Sequence, residues 1–248
     1  MKLNLLFGAL ALAGLVGTAS GAATLTHDYQ LNGTLADSLG GPALVAAGGS
    51  IGGTGYTFGA NQGLSLSNGL ASNGDYSIEM KFSFDQIGGF RKILDFKNQT
   101  SDNGLYALGS QLNFYNFATG GSGFSNGAMV DVILTRDGGS NGVVGYLNGA
   151  PAISFGDTGL DAIFNAPNDV VQFFKDDIVT GGGESSSGFA DYIRVYTGVV
   201  DGNQAACLSS GGTTGACGIP GGGNNVPEPG TLALLGIAAL AAGLRRRR

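Results

Sequence analysis

Residues 75–84 read Asp-Tyr-Ser-Ile-Glu-Met-Lys-Phe-Ser-Phe, and this alternation constrains the fold more than any other feature of the chain. On an extended strand Tyr76, Ile78, Met80, Phe82 and Phe84 fall on one face. Ser77, Glu79, Lys81 and Ser83 fall on the other. A period of two gives a strand with one dry face, whereas a helix would scatter the same residues around its axis. Shorter runs of the same kind follow at 92–96, 104–108, 112–117, 128–136, 143–147, 152–155, 170–174 and 192–196. Gly, Asn, Asp and Ser separate them, as hairpin turns require. Residues 160–165 read as one short helical turn. About a dozen short strands in one body predict an all-β, two-sheet antiparallel sandwich or barrel.

The two ends are of a different character. Lys2 precedes an apolar run from Leu5 to Val16, and small residues follow from Thr18 to Ala23. That is the pattern of a secretory signal peptide, with cleavage expected within Gly21 to Ala23. At the other end Pro227, Glu228 and Pro229 precede an uncharged stretch from Thr231 to Leu244, which Arg245, Arg246, Arg247 and Arg248 close. The stretch is rich in Leu and Ala and is expected to be helical. Its length of about 21 Å falls short of the ~30 Å hydrocarbon core, which suits a transient anchor. Arginine snorkelling and local thinning of the bilayer would meet it, and the basic cluster would stay cytoplasmic.

This tripartite tail resembles the PEP-CTERM sorting signal. The resemblance implies that Pro227, Glu228 and Pro229 are recognised by exosortase and that the tail is removed near them. Arg245–Arg248 then form the membrane stop, and the peptidase nucleophile belongs to exosortase. The expected organisation is a leader over 1–23, a β body over 24–200, a Gly-rich linker over 201–225 and a sorting tail over 226–248. The expected route is the secretion machinery, a transient inner-membrane hold with the body in the periplasm, and then the cell surface or an extracellular polysaccharide matrix.

Processing changes the charge. The chain carries 12 basic and 18 acidic residues. Without Lys2, the four terminal arginines and Glu228, seven basic and 17 acidic residues remain, a net charge near −10. Nucleic acid is therefore excluded as a natural partner. Gly accounts for 47 residues but shows no three-residue period, so the chain is not collagen-like. Cys207 and Cys217 are the only cysteines, and in an oxidising compartment they are expected to pair and staple a local loop.

Three segments resemble laminin-G-like domains in family order. They are the opening run from His27 to Ser38, the pair Met129–Asp137 and Val144–Gly149 with its Asn148-Gly149 turn, and the closing run Gly188–Tyr196. The resemblance implies a concanavalin A-like jelly roll. It also implies a structural calcium at Asp191, held with backbone carbonyls from near the N-terminus. Calcium takes several oxygen ligands, carbonyls included.

Catalytic patterns are missing from the sequence. The same jelly roll carries family 16 glycoside hydrolases, whose Glu-x-Asp-x-x-Glu strand has no counterpart here. The body holds only Glu79 and Glu184, neither in such a pattern, and Asp176-Asp177 on a strand would point to opposite faces. The sole histidine, His27, has no Gly-x-Ser-x-Gly elbow to serve. Gly53–Gly59 misses the dinucleotide-binding spacing. No catalytic residue and no required cofactor are expected. For binding, Phe114, Tyr115, Phe117 and Phe124 lie near Asn113, Asn116 and Asn126. Aromatic faces and amides make a carbohydrate platform, but alternate aromatics fit a sandwich core better, and Trp is absent. The expectation is a non-catalytic domain that takes a polysaccharide or a surface protein.

Overall fold

The computed structural model describes residues 21–165 and 168–221. The leader through residue 20, the Pro-Glu-Pro motif, the apolar stretch and the terminal arginines lie outside the described residues. In chain order the strands are β1 (Thr24–Tyr29), β2 (Val45–Ala47), β3 (Ser50–Ile51), β4 (Tyr56–Phe58), β5 (Gly63–Leu66), β6 (Tyr76–Phe84), β7 (Phe90–Asp95) and β8 (Gly104–Leu108). They continue as β9 (Gln111–Phe114), β10 (Ala118–Gly120), β11 (Val130–Asp137), β12 (Gly142–Leu147), β13 (Ala150–Gly156), β14 (Val171–Phe173) and β15 (Gly188–Thr197), followed by one helix, α1 (Gly202–Ser209).

The strands form two antiparallel sheets. One has eight strands in the order β13-β12-β11-β6-β15-β4-β3, with β1 also paired to β15. The other has seven, in the order β10-β9-β8-β7-β14-β5-β2. Neighbours far apart in sequence, such as β6 beside β15 and β7 beside β14, make this a jelly-roll sandwich rather than a meander. The inner faces meet in one core, where Tyr76, Ile78, Met80, Phe82 and Phe84 of β6 face Leu94, Leu105, Leu112, Phe114 and Phe173 of the other sheet. Each such side chain contributes roughly 1.5–3 kcal/mol by burial. Phe58 and Phe174 stack at 4.7 Å, and Phe96 and Phe164 at 4.6 Å, in the middle of this layer.

The turn chemistry is local and legible. Asn148 and Gly149 both have positive φ, 51° and 80°, and join β12 to β13. Such a two-residue turn matches the twist of the strands it connects. The Asn148 side chain also accepts a hydrogen bond from the Asp131 N–H at 2.9 Å. Residues 160–165 form a turn in which the Ile163 N–H reaches the Leu160 carbonyl at 3.3 Å, and not a helix.

Two expectations need correction. The polar side of β6 is not open to water: Ser77, Glu79 and Ser83 are buried too. Residues 201–221, read as linker from their glycines, are part of the folded body. Asp201 caps α1 by accepting from the Asn203 and Gln204 N–H groups, and the Gln204 side chain returns the bond to the Asp201 N–H. This is a capping box, worth about 1 kcal/mol. Cys207 and Cys217 are joined in a disulfide. Ala205, Leu208 and Ile219 pack with Ala23, Leu25, Ile133, Tyr146, Tyr196 and Val200 in a second apolar cluster outside the eight-stranded sheet. A glycine count does not separate a flexible linker from a loop that follows a packed helix.

Both described ends meet at this cluster. The Leu25 N–H donates to the Pro220 carbonyl at 2.9 Å, and the Val199 N–H donates to the Gly21 carbonyl at 3.2 Å. Ala23 is fully buried. Gly21–Ala23, where leader cleavage was expected, therefore belong to the folded body.

Candidate functional site

The outer face of the seven-stranded sheet carries polar side chains at successive register positions. Lys92 on β7 pairs with Tyr106 on β8, Tyr106 with Asn113 on β9, and Asn113 with Thr119 on β10. A row of this kind crosses the strands and places residues distant in sequence side by side.

At the β10 end of the row the chain turns sharply between β9 and β10. The Phe117 N–H closes onto the Phe114 carbonyl at 3.0 Å, and Asn116 has φ of 66°. Asparagine tolerates this left-handed geometry. The turn sends Phe114 into the core and pushes Tyr115, Asn116 and Phe117 outward. Tyr115 is braced by Phe90 at 5.8 Å and Tyr106 at 6.3 Å, and Phe117 by Phe155 at 5.0 Å and Phe114 at 5.8 Å. Phe117 stays 43 % exposed, so part of its surface faces solvent on a rigid base.

Tyr115, Asn116 and Phe117 line an open cleft of about 380 Å³ with Ser101, Asp102, Asn103 and Asp161. A second hollow of about 250 Å³ adjoins it, sharing Asn116 and Phe117 and adding Asn113, Ala118 and Thr119. The Asn103 amide donates to Asp161 at 2.8 Å, and the Tyr106 hydroxyl donates to Asp102 at 2.9 Å. The Asn113 amide donates to Thr119 at 2.6 Å. The Oδ1 atoms of Asn103 and Asn113 are buried and accept no hydrogen bond. A buried acceptor left unpaired costs about 1–3 kcal/mol, and a donor reaches these two shielded atoms only where the side chains covering them shift.

Of the aromatics and amides singled out in the sequence, Tyr115, Phe117, Asn113 and Asn116 belong to this surface. Phe114 and Phe124 are core residues, and Asn126 accepts from the Ile87 N–H at 3.0 Å. Asp102, Asn103 and Asp161 had no local signal: Asn103 and Asp161 meet across 58 residues of sequence.

The other end of the row is closed. Lys92 is fully buried, with its Nζ 2.8 Å from Asp177, 3.8 Å from Asp95, 3.9 Å from Asp176 and 4.3 Å from the centre of the Tyr106 ring. On a strand Asp176 and Asp177 would point to opposite faces. They are not on one: β14 ends at Phe173, and both carboxylates lie in the following loop, turned toward Lys92. Burial first, and the nearby Asp177 charge, raise the Asp95 carboxyl to about 6 against the Gln99 N–H bond and Lys92. In Asp177, burial pushes upward but Lys92 and the loop amides outweigh it and hold the carboxyl below its usual range.

On the opposite sheet Glu79 is buried beneath α1. The Tyr192 hydroxyl lies 2.9 Å from both Glu79 and Asp131, with one proton to share between them, and Tyr196 and Arg194 also bond Glu79. Burial, then the Glu79 charge, raise Asp131 to about 6. His27 lies on β1 with its Nδ1 2.7 Å from Asp37, a carboxyl that also accepts three backbone N–H bonds. Asp191 sits at a bulge three residues inside β15, partly exposed. Among the described residues no group of three or more His, Cys, Asp or Glu side chains is placed to hold a metal ion.

Comparison with known families matches residues 225–248 to the PEP-CTERM protein-sorting motif. The chain carries a PEP-CTERM sorting tail. The motif implies an exported protein processed by exosortase. Among the described residues no helix is long and apolar enough to cross a membrane. Comparison with curated proteins gives no match. Among solved structures, domain 4 of AbnA, a GH43 extracellular arabinanase from Geobacillus stearothermophilus, matches at a TM-score of 0.51 and 18 % identity. The match covers 75 % of this chain and 98 % of that domain. Trypanosoma rangeli sialidase matches at a TM-score of 0.59 and 15 % identity, over 75 % of this chain and 32 % of the enzyme, so the PEP-CTERM chain spans about a third of it. The botulinum neurotoxin serotype D binding domain matches at a TM-score of 0.52 and 11 % identity, over 76 % and 52 %. At these identities the likeness is one of fold.

Proposed function

We propose that this exosortase-sorted protein acts at the cell surface or in an exopolysaccharide matrix, and that its laminin-G-type sandwich binds carbohydrate without catalysis. The observation that carries the reading is the cleft at the β9–β10 turn. Two braced aromatic rings offer apolar surface to sugar C–H groups, and Asn116, Asp102 and Asp161 offer polar partners to sugar hydroxyls. The likeness in fold to the arabinanase domain solved with arabinotriose supports it. The placement of the ends supports it as well. Both described ends meet on the eight-stranded sheet, while the cleft is formed by the loop before β8, the β9–β10 turn and the loop after β13, so none of the residues that hold the ends line it.

A non-catalytic role is supported by where the buried carboxylates go. Glu79 is tied to Tyr192, Tyr196 and Arg194 under α1, and Asp177 is tied to Lys92 and the amides of its own loop. Retaining glycoside hydrolysis needs two carboxyl groups about 5–5.5 Å apart that both reach the sugar. A glycan array read together with reducing-sugar release tests the proposal. Saturable binding without sugar release is expected. Sustained release that is lost on carboxylate substitution would establish an enzyme, and no saturable binding would establish an inert matrix component.

A further inference from the structure

Every polar group that the cleft leaves free for a ligand, apart from the Asn116 amide, the Ser101 hydroxyl and the Tyr115 hydroxyl, is an acceptor. The Asn103 Oδ1 is buried and unpaired, and its amide already serves one oxygen of Asp161. One oxygen of Asp102 takes the Tyr106 hydroxyl, leaving the other. In the adjoining hollow Asn113 is 6 % exposed, its amide is committed to Thr119, and its Oδ1 has no partner. The lysines in the neighbourhood are committed elsewhere. Lys97 donates to the Leu160 and Ile163 carbonyls at 2.9 and 2.7 Å, and Lys92 is enclosed by three aspartates.

A surface of this kind selects by charge. A uronate or other acidic sugar would bring a carboxylate against Asp102 and Asp161, where the one nearby ammonium, Lys97, is already bonded to the Leu160 and Ile163 carbonyls and faces Asp161, so the two carboxylates repel it. A sugar with a free amine brings an ammonium, which supplies three donors and a positive charge to those oxygens. Its apolar ring face meets Tyr115 and Phe117, and an ammonium beside aromatic faces gains further attraction. Resting on the carbohydrate-binding reading above, we propose that the cleft formed by Asp102, Asn103, Asp161, Tyr115, Asn116 and Phe117 is a site for amino-sugar polymers with free amines, and that it discriminates against acidic polysaccharides.

The test is calorimetric titration of the exported body with three oligosaccharides of equal length: glucosamine oligomers at a pH where their amines are protonated, the fully N-acetylated oligomers, and oligogalacturonate. The glucosamine oligomer is expected to bind, the N-acetylated one at least ten-fold more weakly, and the uronate not at all. Because an acidic protein attracts any polycation, Phe117→Ala provides the control. It leaves the charge unchanged and is expected to weaken glucosamine binding at least ten-fold, as is Asp161→Asn. Equal or tighter binding of the acetylated or uronate oligomer overturns the amino-sugar assignment while leaving a carbohydrate site in place. Glucosamine binding that Phe117→Ala leaves unchanged overturns the cleft as its location. Binding of none of the three, on a protein that also gives no array signal, overturns both this inference and the broader reading.

Discussion

The Lys92 ammonium lies 2.8 Å from the Asp177 carboxylate, and both side chains are fully shielded from solvent. The pair joins the middle of β7 to the loop after β14, 85 residues away, and Asp95 and Asp176 stand within 4 Å of the same nitrogen. Removing one partner of a buried ion pair is strongly destabilising because the other charge remains. Lys92→Met is expected to cost about 3–5 kcal/mol, read as a lower urea midpoint at unchanged slope. A loss below 1 kcal/mol would show that the aspartates take up protons and do not need the lysine.

Asp95 and Asp131 both have carboxyls raised to about 6 by burial. A raised acid binds its proton more tightly in the folded chain than in the unfolded one. The stability it contributes is therefore present at low pH and is lost as pH rises toward 6. Shifts of this size correspond to roughly 3 kcal/mol each. Thermal unfolding followed from pH 4 to 8 is expected to show this decline, opposed below pH 4 by the loss of Asp37 and Asp177, whose carboxyls are lowered. Asp131→Asn keeps an acceptor for Tyr192 and is expected to flatten the curve between pH 4 and 6. An unchanged curve would count against the assignment.

The disulfide spans ten residues of sequence, from α1 to the loop before Ile219. Closing a loop of that length contributes up to roughly 3 kcal/mol on the chain-entropy account. Replacing both cysteines by serine is expected to lower the unfolding midpoint and to raise hydrogen exchange at Gln204–Ser209, while the exchange of β6 and β11 stays slow. Loss of protection throughout would mean that this cover is integral to the main core.

Phe114 and Phe117 sit three residues apart with opposite fates. Phe114→Ala removes a fully buried ring and is expected to cost about 3–5 kcal/mol. Phe117→Ala is expected to cost about 1 kcal/mol, since only its contacts with Phe155 and Phe114 are lost, and to act on binding. Urea unfolding of the two variants checks the contrast.

A body that starts at Thr24 lacks the Gly21 carbonyl that accepts from Val199 and the buried Ala23. It is expected to melt below a body that starts at Gly21. Mass spectrometry of the exported protein is expected to find an N-terminus no later than Gly21, and an intact Arg248 in the same spectrum would contradict processing of the sorting tail.

Much of the fold was legible because its signals are local. The alternation of β6, the turn residues Asn148 and Gly149, and the run 104–108 each fix one element through neighbouring side chains and allowed dihedrals. The short strands β2 to β5 were missed because two to four residues are too few to show a period and their pairing is set by strands elsewhere in the chain. Residues 201–221 were misread because a capping box and a disulfide outweigh the glycines around them.

By itself the sequence determined the class of the body, through period two, and the sorting tail, through a motif whose reader sees linear chain. Only the tertiary structure decided which aromatics line a cleft and which fill the core, because one tight turn at Asn116 separates Phe114 from Tyr115 and Phe117. It also decided that Asp176 and Asp177 converge on Lys92 and that Asp161 meets Asn103. Those meetings bring loop residues onto partners 58 to 85 residues away, a distance over which composition and periodicity carry no information about side-chain contact.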